Sequence, residues 1–234
     1  MMDPRHLSVD ERLMGACVYC GGPAETHDHV PSRVLLEDPP PDDLPVVDAC
    51  AACNQGFSLD EEYLACFLEC VLAGSTDVKR LRREKIKHAL SRNDRLSARI
   101  QASARFNDNG VLTWEPEVER VHNFVLKLAR GHAAYELSLP QLDSPETVFV
   151  SPLLAMLDGD RKAFENAGSG ELRGWPEINS RAFLRVVGAQ PYSDQAGPWI
   201  VVQPGQYRYS VDQHGGVRVQ VVLAEYLGCV VKWA

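Results

Sequence analysis

Two Cys-x-x-Cys pairs constrain this chain more than any other feature of its sequence. Cys17 and Cys20 form the first pair, and Cys50 and Cys53 follow about thirty residues later. Two cysteines separated by two residues can both face one metal ion, so two such pairs complete the tetrahedral four-cysteine set of a structural zinc site. The segment between them has no helical period and is interrupted by glycine and proline, so we expect zinc to supply folding energy that it lacks.

The alternative use of these cysteines is in disulfides. The chain has seven cysteines, an odd number, and its first residues lack the apolar core of a signal peptide. Paired cysteines in a reducing compartment favour metal over disulfides. We therefore expect a cytoplasmic protein with no membrane segment, and we expect the other three cysteines, Cys66, Cys70 and Cys229, to be small buried apolar residues.

Polar side chains accompany the cysteine pairs. Asp28 and His29 lie between the pairs, and Asn54 directly follows Cys53. Phosphodiester hydrolysis needs a group that takes a proton from water and a cation that neutralises the leaving oxygen, and a histidine beside an aspartate can divide these tasks. An asparagine carbonyl would add to an oxygen-rich site of the kind that Mg²⁺ accepts. Alternatively, these residues only cap turns of a zinc ribbon.

The order Cys-x-x-Cys, Asp-His, Cys-x-x-Cys-Asn resembles the HNH (ββα-metal, His-Me finger) endonuclease family, in its zinc-knuckle branch that includes phage endonuclease VII. The resemblance covers roughly residues 17–63. It implies that the four cysteines bind structural zinc, that His29 is the general base, and that Asp28 and Asn54 bind a catalytic Mg²⁺ or Mn²⁺. It also implies hydrolysis of DNA, with RNA a less favoured substrate.

The sequence departs from the family pattern in two places. Many members carry a third histidine or asparagine on the helix after the last knuckle, where this chain has only Ser58 and acidic residues; Glu62 could be an extra ligand there, or a solvated charge at a helix start. His27, one residue before Asp28, is not required by the pattern. On a strand it shares a face with His29, so it could contact phosphate or replace the base, or be an ordinary surface residue.

The charge of the chain is unevenly distributed. The formal net charge is −8, yet the stretch from Lys79 to Arg105 holds ten basic residues and two acidic ones. Such a stretch can contact the phosphates of a nucleic acid, or it can pair with the acidic remainder of the chain. The preferred phosphate contacts are five arginines: Arg82, Arg83, Arg92, Arg95 and Arg99.

The fold class expected from these patterns is α+β. We predict a zinc-stabilised ββα-metal domain over residues 1–75, a basic helical segment over 76–110, and a C-terminal α+β domain with an antiparallel sheet over 111–234. Helices are expected from Ser58 to Gly74, from about Asp77 to Phe106, and after Pro116. Strands are expected at Thr147–Val150, Ala182–Val187, Trp199–Val202, Tyr207–Val211 and Val217–Leu223, and a helical turn at Val9–Met14.

The favoured function is a metal-dependent HNH endonuclease acting on DNA. Two alternatives remain open: a non-catalytic zinc-ribbon module that binds nucleic acid or protein, and an effector that acts only when a partner releases it. No motif that reads base sequence is present in the chain. Targeting by a partner protein or by a homo-oligomer is therefore also an expectation.

Overall fold

A computed structural model describes residues 14–166, 176, 180–186, 199–213 and 215–234. The described residues fall into two compact units, the first drawn from Met1–Gly56 and Val125–Ala234 and the second being Phe57–Phe124. The helical turn predicted at Val9–Met14 lies almost wholly outside the described residues. Within them, no helix has both the length and the apolarity that crossing a membrane requires.

The first unit begins with two short strands and a short helix. Strands β1 (Thr26–His29) and β2 (Val46–Ala49) pair antiparallel, with His27 opposite Asp48, and helix α1 (Ala51–Gly56) follows at once. Apolar residues of this region are buried, among them Val30, Leu36 and Val47. The zinc-clasped segment, as we call residues 14–56, therefore contributes apolar side chains to a core.

The remainder of the first unit is an antiparallel sheet with helices. Strands β5 (Thr147–Pro152), β6 (Ile200–Gln203), β7 (Tyr207–Gln213), β8 (Val217–Leu223) and β9 (Leu227–Trp233) lie in the order β5-β9-β8-β7-β6. Helix α5 (Val118–Leu137) contributes its residues from Val125 onward to this unit, and α6 (Asp158–Glu165) follows β5. The predicted α+β class with a C-terminal antiparallel sheet is confirmed.

One predicted strand is wrong. Residues 181–186 form helix α7 (Arg181–Val186), where a strand was expected from Ala182 to Val187. The Ser180 hydroxyl accepts a hydrogen bond of 3.0 Å from the backbone N–H of Phe183. This is the N-cap interaction that starts a helix, and here it outweighs the strand preference of the apolar residues that follow.

The second unit contains the basic segment. Helix α2 (Ser58–Ala73) ends at Gly74, whose φ of 58° is the left-handed conformation that closes a helix without steric cost in glycine. Helices α3 (Glu84–Arg92) and α4 (Asp94–Ser103) follow, and strands β3 (Ala104–Phe106) and β4 (Leu112–Trp114) form a hairpin.

The prediction of a single helix from Asp77 to Phe106 is wrong, because the helix is interrupted at Asn93. The Asn93 side-chain oxygen accepts a hydrogen bond of 3.1 Å from the N–H of Leu96 and so caps α4. The apolar stripe expected along this helix was Val78, Leu81, Ile86, Leu90 and Leu96. All of them are buried except Val78, which is half-buried. Helical periodicity therefore identified the buried face, while the local cap determined where the helix is interrupted.

Candidate metal centre and the strand beside it

The four paired cysteines come together in one cluster. The sulfurs of Cys17, Cys20, Cys50 and Cys53 all lie within 4.8 Å of one another, and those of Cys20 and Cys50 are 3.8 Å apart. Four sulfurs placed about 2.3 Å from a central ion at tetrahedral angles are separated by about 3.8 Å. The donor set and its spacing therefore fit zinc. Among the described residues, no second group of three or more histidine, cysteine or acidic side chains could hold a metal ion.

Each pair sits on a turn that aims both sulfurs at the same point. In the first turn, the N–H of Cys17 donates to the Gly22 carbonyl at 2.7 Å and the N–H of Gly21 donates to the Cys17 carbonyl at 2.8 Å. In the second, the N–H of Cys53 donates to the Cys50 sulfur at 3.3 Å. Such N–H bonds to sulfur stabilise the thiolate form that binds metal.

The electrostatics of the second pair are asymmetric. Hydrogen bonds from the backbone N–H and the thiol of Cys53 lower the pKa of Cys50 to about 7. Burial, together with the neighbouring sulfurs, raises the pKa of Cys53. Metal binding requires deprotonation of all four thiols, so zinc affinity is expected to fall as the pH falls.

Cys66, Cys70 and Cys229 behave as buried apolar residues. Each is 0% or 1% exposed, and burial raises the pKa of each thiol to about 12. Such thiols stay protonated near neutral pH and are poor metal ligands and nucleophiles. This outcome agrees with the role predicted for them.

Strand β1 places Asp28 on the opposite face from His27 and His29. Asp28 is buried, and its Oδ2 accepts a hydrogen bond of 2.7 Å from the Tyr19 hydroxyl. The same oxygen lies 2.8 Å from the Nζ of Lys127, a side chain that is only 1% exposed. Lys127 also donates to the Ser32 hydroxyl at 2.7 Å. The Asp28 carboxylate is thus neutralised by an ammonium group of helix α5.

Gly131 of α5 allows the chain just after β1 to approach the helix closely. A Cβ at Gly131 would lie 2.6 Å from the Cγ2 of Val30, far closer than such atoms approach in proteins. The absence of a side chain lets Val30, two residues after Asp28, pack directly onto the helix backbone. Sequence analysis identified neither Lys127 nor Gly131, because neither stands in a recognisable motif with Asp28.

As it stands, Asp28 does not fit a bound Mg²⁺ or Mn²⁺. A divalent ion on the Asp28 carboxylate would stand beside the buried Lys127 ammonium, which is strongly repulsive at low dielectric. The Asn54 amide nitrogen donates to the Thr26 hydroxyl at 3.1 Å and to the His27 carbonyl at 3.3 Å. Asn54 is therefore brought to β1, as expected, and these hydrogen bonds engage its amide nitrogen, not the oxygen that would bind a cation. The role of both residues as metal ligands stays a prediction, and the ion pair with Lys127 opposes it at Asp28.

The two histidines of β1 lie on its other face. His29, the predicted base, is half-buried. The His27 Nδ1 lies 3.0 Å from Oδ1 of Asp48, its partner across the β1–β2 pair, and the His27 side chain is 56% exposed. Asp48 is a third residue that could not be singled out from a motif. Alternation along the two strands could have revealed it, because a polar residue directly opposite a histidine is within reach of its ring.

The remaining predicted site residues belong to the second unit. Glu62 is a half-buried residue of helix α2. Arg82, Arg92, Arg95 and Arg99 are exposed, and Arg99 is paired with Glu117. Arg83 differs from expectation, since it is 6% exposed and its backbone N–H donates to the buried Glu69 carboxylate at 3.0 Å. A guanidinium in that position is shielded from a DNA phosphate.

Comparison of the chain with protein-family models, with curated proteins and with solved structures finds no match.

Proposed function

We propose that this protein is an HNH-type endonuclease that hydrolyses phosphodiester bonds in DNA. The observation that supports the proposal best is the local arrangement around β1. Two antiparallel strands and a helix carry the four clustered cysteines. His29 lies on strand β1, and the Asn54 amide of helix α1 donates to the His27 carbonyl of the same strand. This is the arrangement that the sequence resemblance implies. Zinc would have a structural role here, because all four of its positions are filled by cysteine.

In this proposal His29 is the general base. Its imidazole takes a proton from water while the water oxygen attacks phosphorus, a role that a neutral ring nitrogen can fill. Exposed Arg82, Arg92 and Arg95 supply non-specific phosphate affinity. A catalytic divalent ion on Asp28 and Asn54 belonged to the sequence prediction, but the ion pair with Lys127 does not accommodate it, so no step here depends on that ion.

The test is cleavage of supercoiled plasmid by zinc-loaded protein, with added Mg²⁺, with added Mn²⁺ and with neither. We expect nicked and linear products from the natural protein, and a loss of about 10²–10⁴-fold for His29→Ala, the usual contribution of a general base. His122→Ala, at an exposed histidine of the second unit, is the matched control and should cleave normally. Equal rates for His29→Ala and the natural protein would contradict the assigned base.

A non-catalytic zinc-ribbon module that binds nucleic acid is the second candidate. The buried Asp28–Lys127 pair favours it, because a carboxylate that is paired with an ammonium group inside the protein can have a purely structural role. The same plasmid experiment separates the two candidates. A module of this kind would retard the plasmid on a gel, with zinc fully bound, and would leave it uncut under all three metal conditions.

A further inference from the structure

His27 is held in a fixed orientation by Asp48. The His27 Nδ1 and Asp48 Oδ1 are 3.0 Å apart, so the imidazole carries a proton on Nδ1 and donates it to the carboxylate. Nε2 is then the ring nitrogen on the side away from Asp48, and the side chain is 56% exposed. A histidine whose inner nitrogen is bonded to a carboxylate is the arrangement by which proteins fix a working imidazole.

Asp48 is itself anchored. Its second oxygen, Oδ2, accepts a hydrogen bond of 3.0 Å from the N–H of Gly15, and its carbonyl accepts one of 3.0 Å from the N–H of Val18. Both donors flank Cys17, the first cysteine of the cluster. The cysteine cluster therefore fixes Asp48, and through it the ring of His27.

The proposed hydrolysis lacks a group that neutralises the leaving oxygen. On the inner face of β1 the Asp28 carboxylate is already paired with the Lys127 ammonium at 2.8 Å. Lys127 is 1% exposed and therefore cannot reach a substrate phosphate. On the outer face, alternation along the strand puts His27 beside His29. Two imidazoles on one face can divide the work of base and acid.

We propose that His27 is the general acid of the site and that Asp48 is its positioning residue; this inference rests on the proposed endonuclease function. The water oxygen bonds to phosphorus and its proton passes to His29. The bond from phosphorus to the leaving oxygen breaks, its electron pair stays on that oxygen, and a proton held on Nε2 of His27 passes to it. Exchange with solvent returns both imidazoles to their starting states, so cleavage proceeds without a divalent ion on Asp28.

The test uses DNA in which sulfur replaces the bridging oxygen at a single phosphodiester. A thiolate leaves without a proton, so loss of a general acid slows cleavage of the oxygen substrate and not of the sulfur one. Because the bond cleaved is not specified by the proposal, 3′-thio and 5′-thio duplexes are both assayed. The variants are His27→Ala, Asp48→Asn, His29→Ala and the control His122→Ala, all in the full-length zinc-loaded protein.

We expect His27→Ala to slow cleavage of the all-oxygen duplex by about 10²-fold or more and to cut one of the thio duplexes within about threefold of the natural rate. Asp48→Asn keeps an oxygen that can accept from Nδ1, so it should show the same pattern with a smaller loss. His29→Ala should be slow on every substrate, because the base is needed whatever group leaves. Zinc content and thermal unfolding are measured for each variant.

The outcomes separate this inference from the proposed function. If the natural protein cleaves and His27→Ala is equally impaired on oxygen and sulfur substrates, or is unimpaired on both, the general-acid role is overturned and the endonuclease proposal stands. If the natural protein cleaves no duplex under any metal condition, both proposals fail. If His27→Ala loses zinc, His27→Gln, which retains a nitrogen donor near the position of the ring, provides the same comparison.

Discussion

The zinc-clasped segment and the five-stranded sheet belong to the same compact unit but are stabilised differently. The sheet pairs strands of up to seven residues and buries apolar side chains such as Val219, Val221 and Val231. The zinc-clasped segment has two strands of four residues and one helix of six. Besides its buried apolar side chains, it has the cysteine cluster and the buried contacts of Asp28. Stabilisation of this kind leaves the outer face of β1 to polar side chains, here His27 and His29.

The largest effect is expected from removing one metal ligand. Binding of structural zinc contributes on the order of 10 kcal/mol or more, and three ligands do not close a tetrahedral site. Cys50→Ser should therefore lose zinc and open the zinc-clasped segment, while the sheet stays folded. Mass spectrometry gives the zinc content, and amide hydrogen exchange should show exposure of β1 and β2 with continued protection of β7 to β9.

The control for that experiment is Cys229→Ala, at a buried cysteine of β9 outside the cluster. It should keep zinc and lose only the modest stability of a small apolar side chain. Equal hydrogen exchange of β1 and β8 in Cys50→Ser would mean that the segment and the sheet unfold together. It would contradict their separate stabilisation.

An intermediate effect is expected at the ion pair. Lys127→Met leaves the Asp28 carboxylate buried without its cation, a change that typically costs about 3–5 kcal/mol. Adding Asp28→Asn removes the stranded charge and should recover much of that loss. Urea unfolding of the two single variants and the double variant forms a cycle that isolates the coupling between the side chains.

A coupling near zero would show that the pair contributes little. The double variant would then not recover the unfolding free energy lost in Lys127→Met. In that case the Lys127 ammonium would also oppose a cation at Asp28 only weakly. Mn²⁺ binding to Lys127→Met, followed by electron paramagnetic resonance, distinguishes this case from simple destabilisation.

The smallest effect concerns the sheet and its dependence on pH. His132 of α5 is fully buried, its Nε2 lies 2.7 Å from the Tyr207 hydroxyl, and its ring stacks on Tyr209. Burial, assisted by the nearby Lys127 ammonium, lowers the pKa of His132 well below its ordinary value of 6.5. The unfolded chain therefore binds a proton at this histidine in acid when the folded chain does not.

Stability linked to His132 is consequently complete above about pH 6.5 and falls by about 1.4 kcal/mol per unit below it. Urea unfolding between pH 7 and pH 5 measures the slope. His132→Gln should flatten it by that amount, and His122→Gln, at an exposed histidine, should not. An unchanged slope in His132→Gln would mean that other groups dominate the acid sensitivity.

Several features could be predicted from the sequence because they follow from local patterns. The cysteine spacing predicted the cluster, and the sequence also predicted a helix after Pro116 and two late strands, which correspond to α5, β7 and β8. Features that depend on one hydrogen bond were missed, as at Asn93, which divides the basic helix, and at Ser180, which turns an expected strand into a helix.

The environment of Asp28 could not be predicted for a different reason. Its partner Lys127 is distant in the chain, and a charged residue in a helix is expected to be solvated. Only the approach of β1 to α5 buries both. The sequence thus indicated candidate site residues, whereas their orientation depends on tertiary contacts.

The Lys127–Asp28 contact bears on whether the zinc-clasped segment could be transplanted. A fragment ending at Gly56 would carry all four cysteines, but it would lack Lys127 and the bare helix surface at Gly131. Without α5, the Asp28 carboxylate would lose its cation and become exposed to solvent, and Val30 would lose the helix surface against which it packs. The metal-binding portion is therefore an inseparable part of a larger body, and grafting it onto another protein would require bringing helix α5 with it.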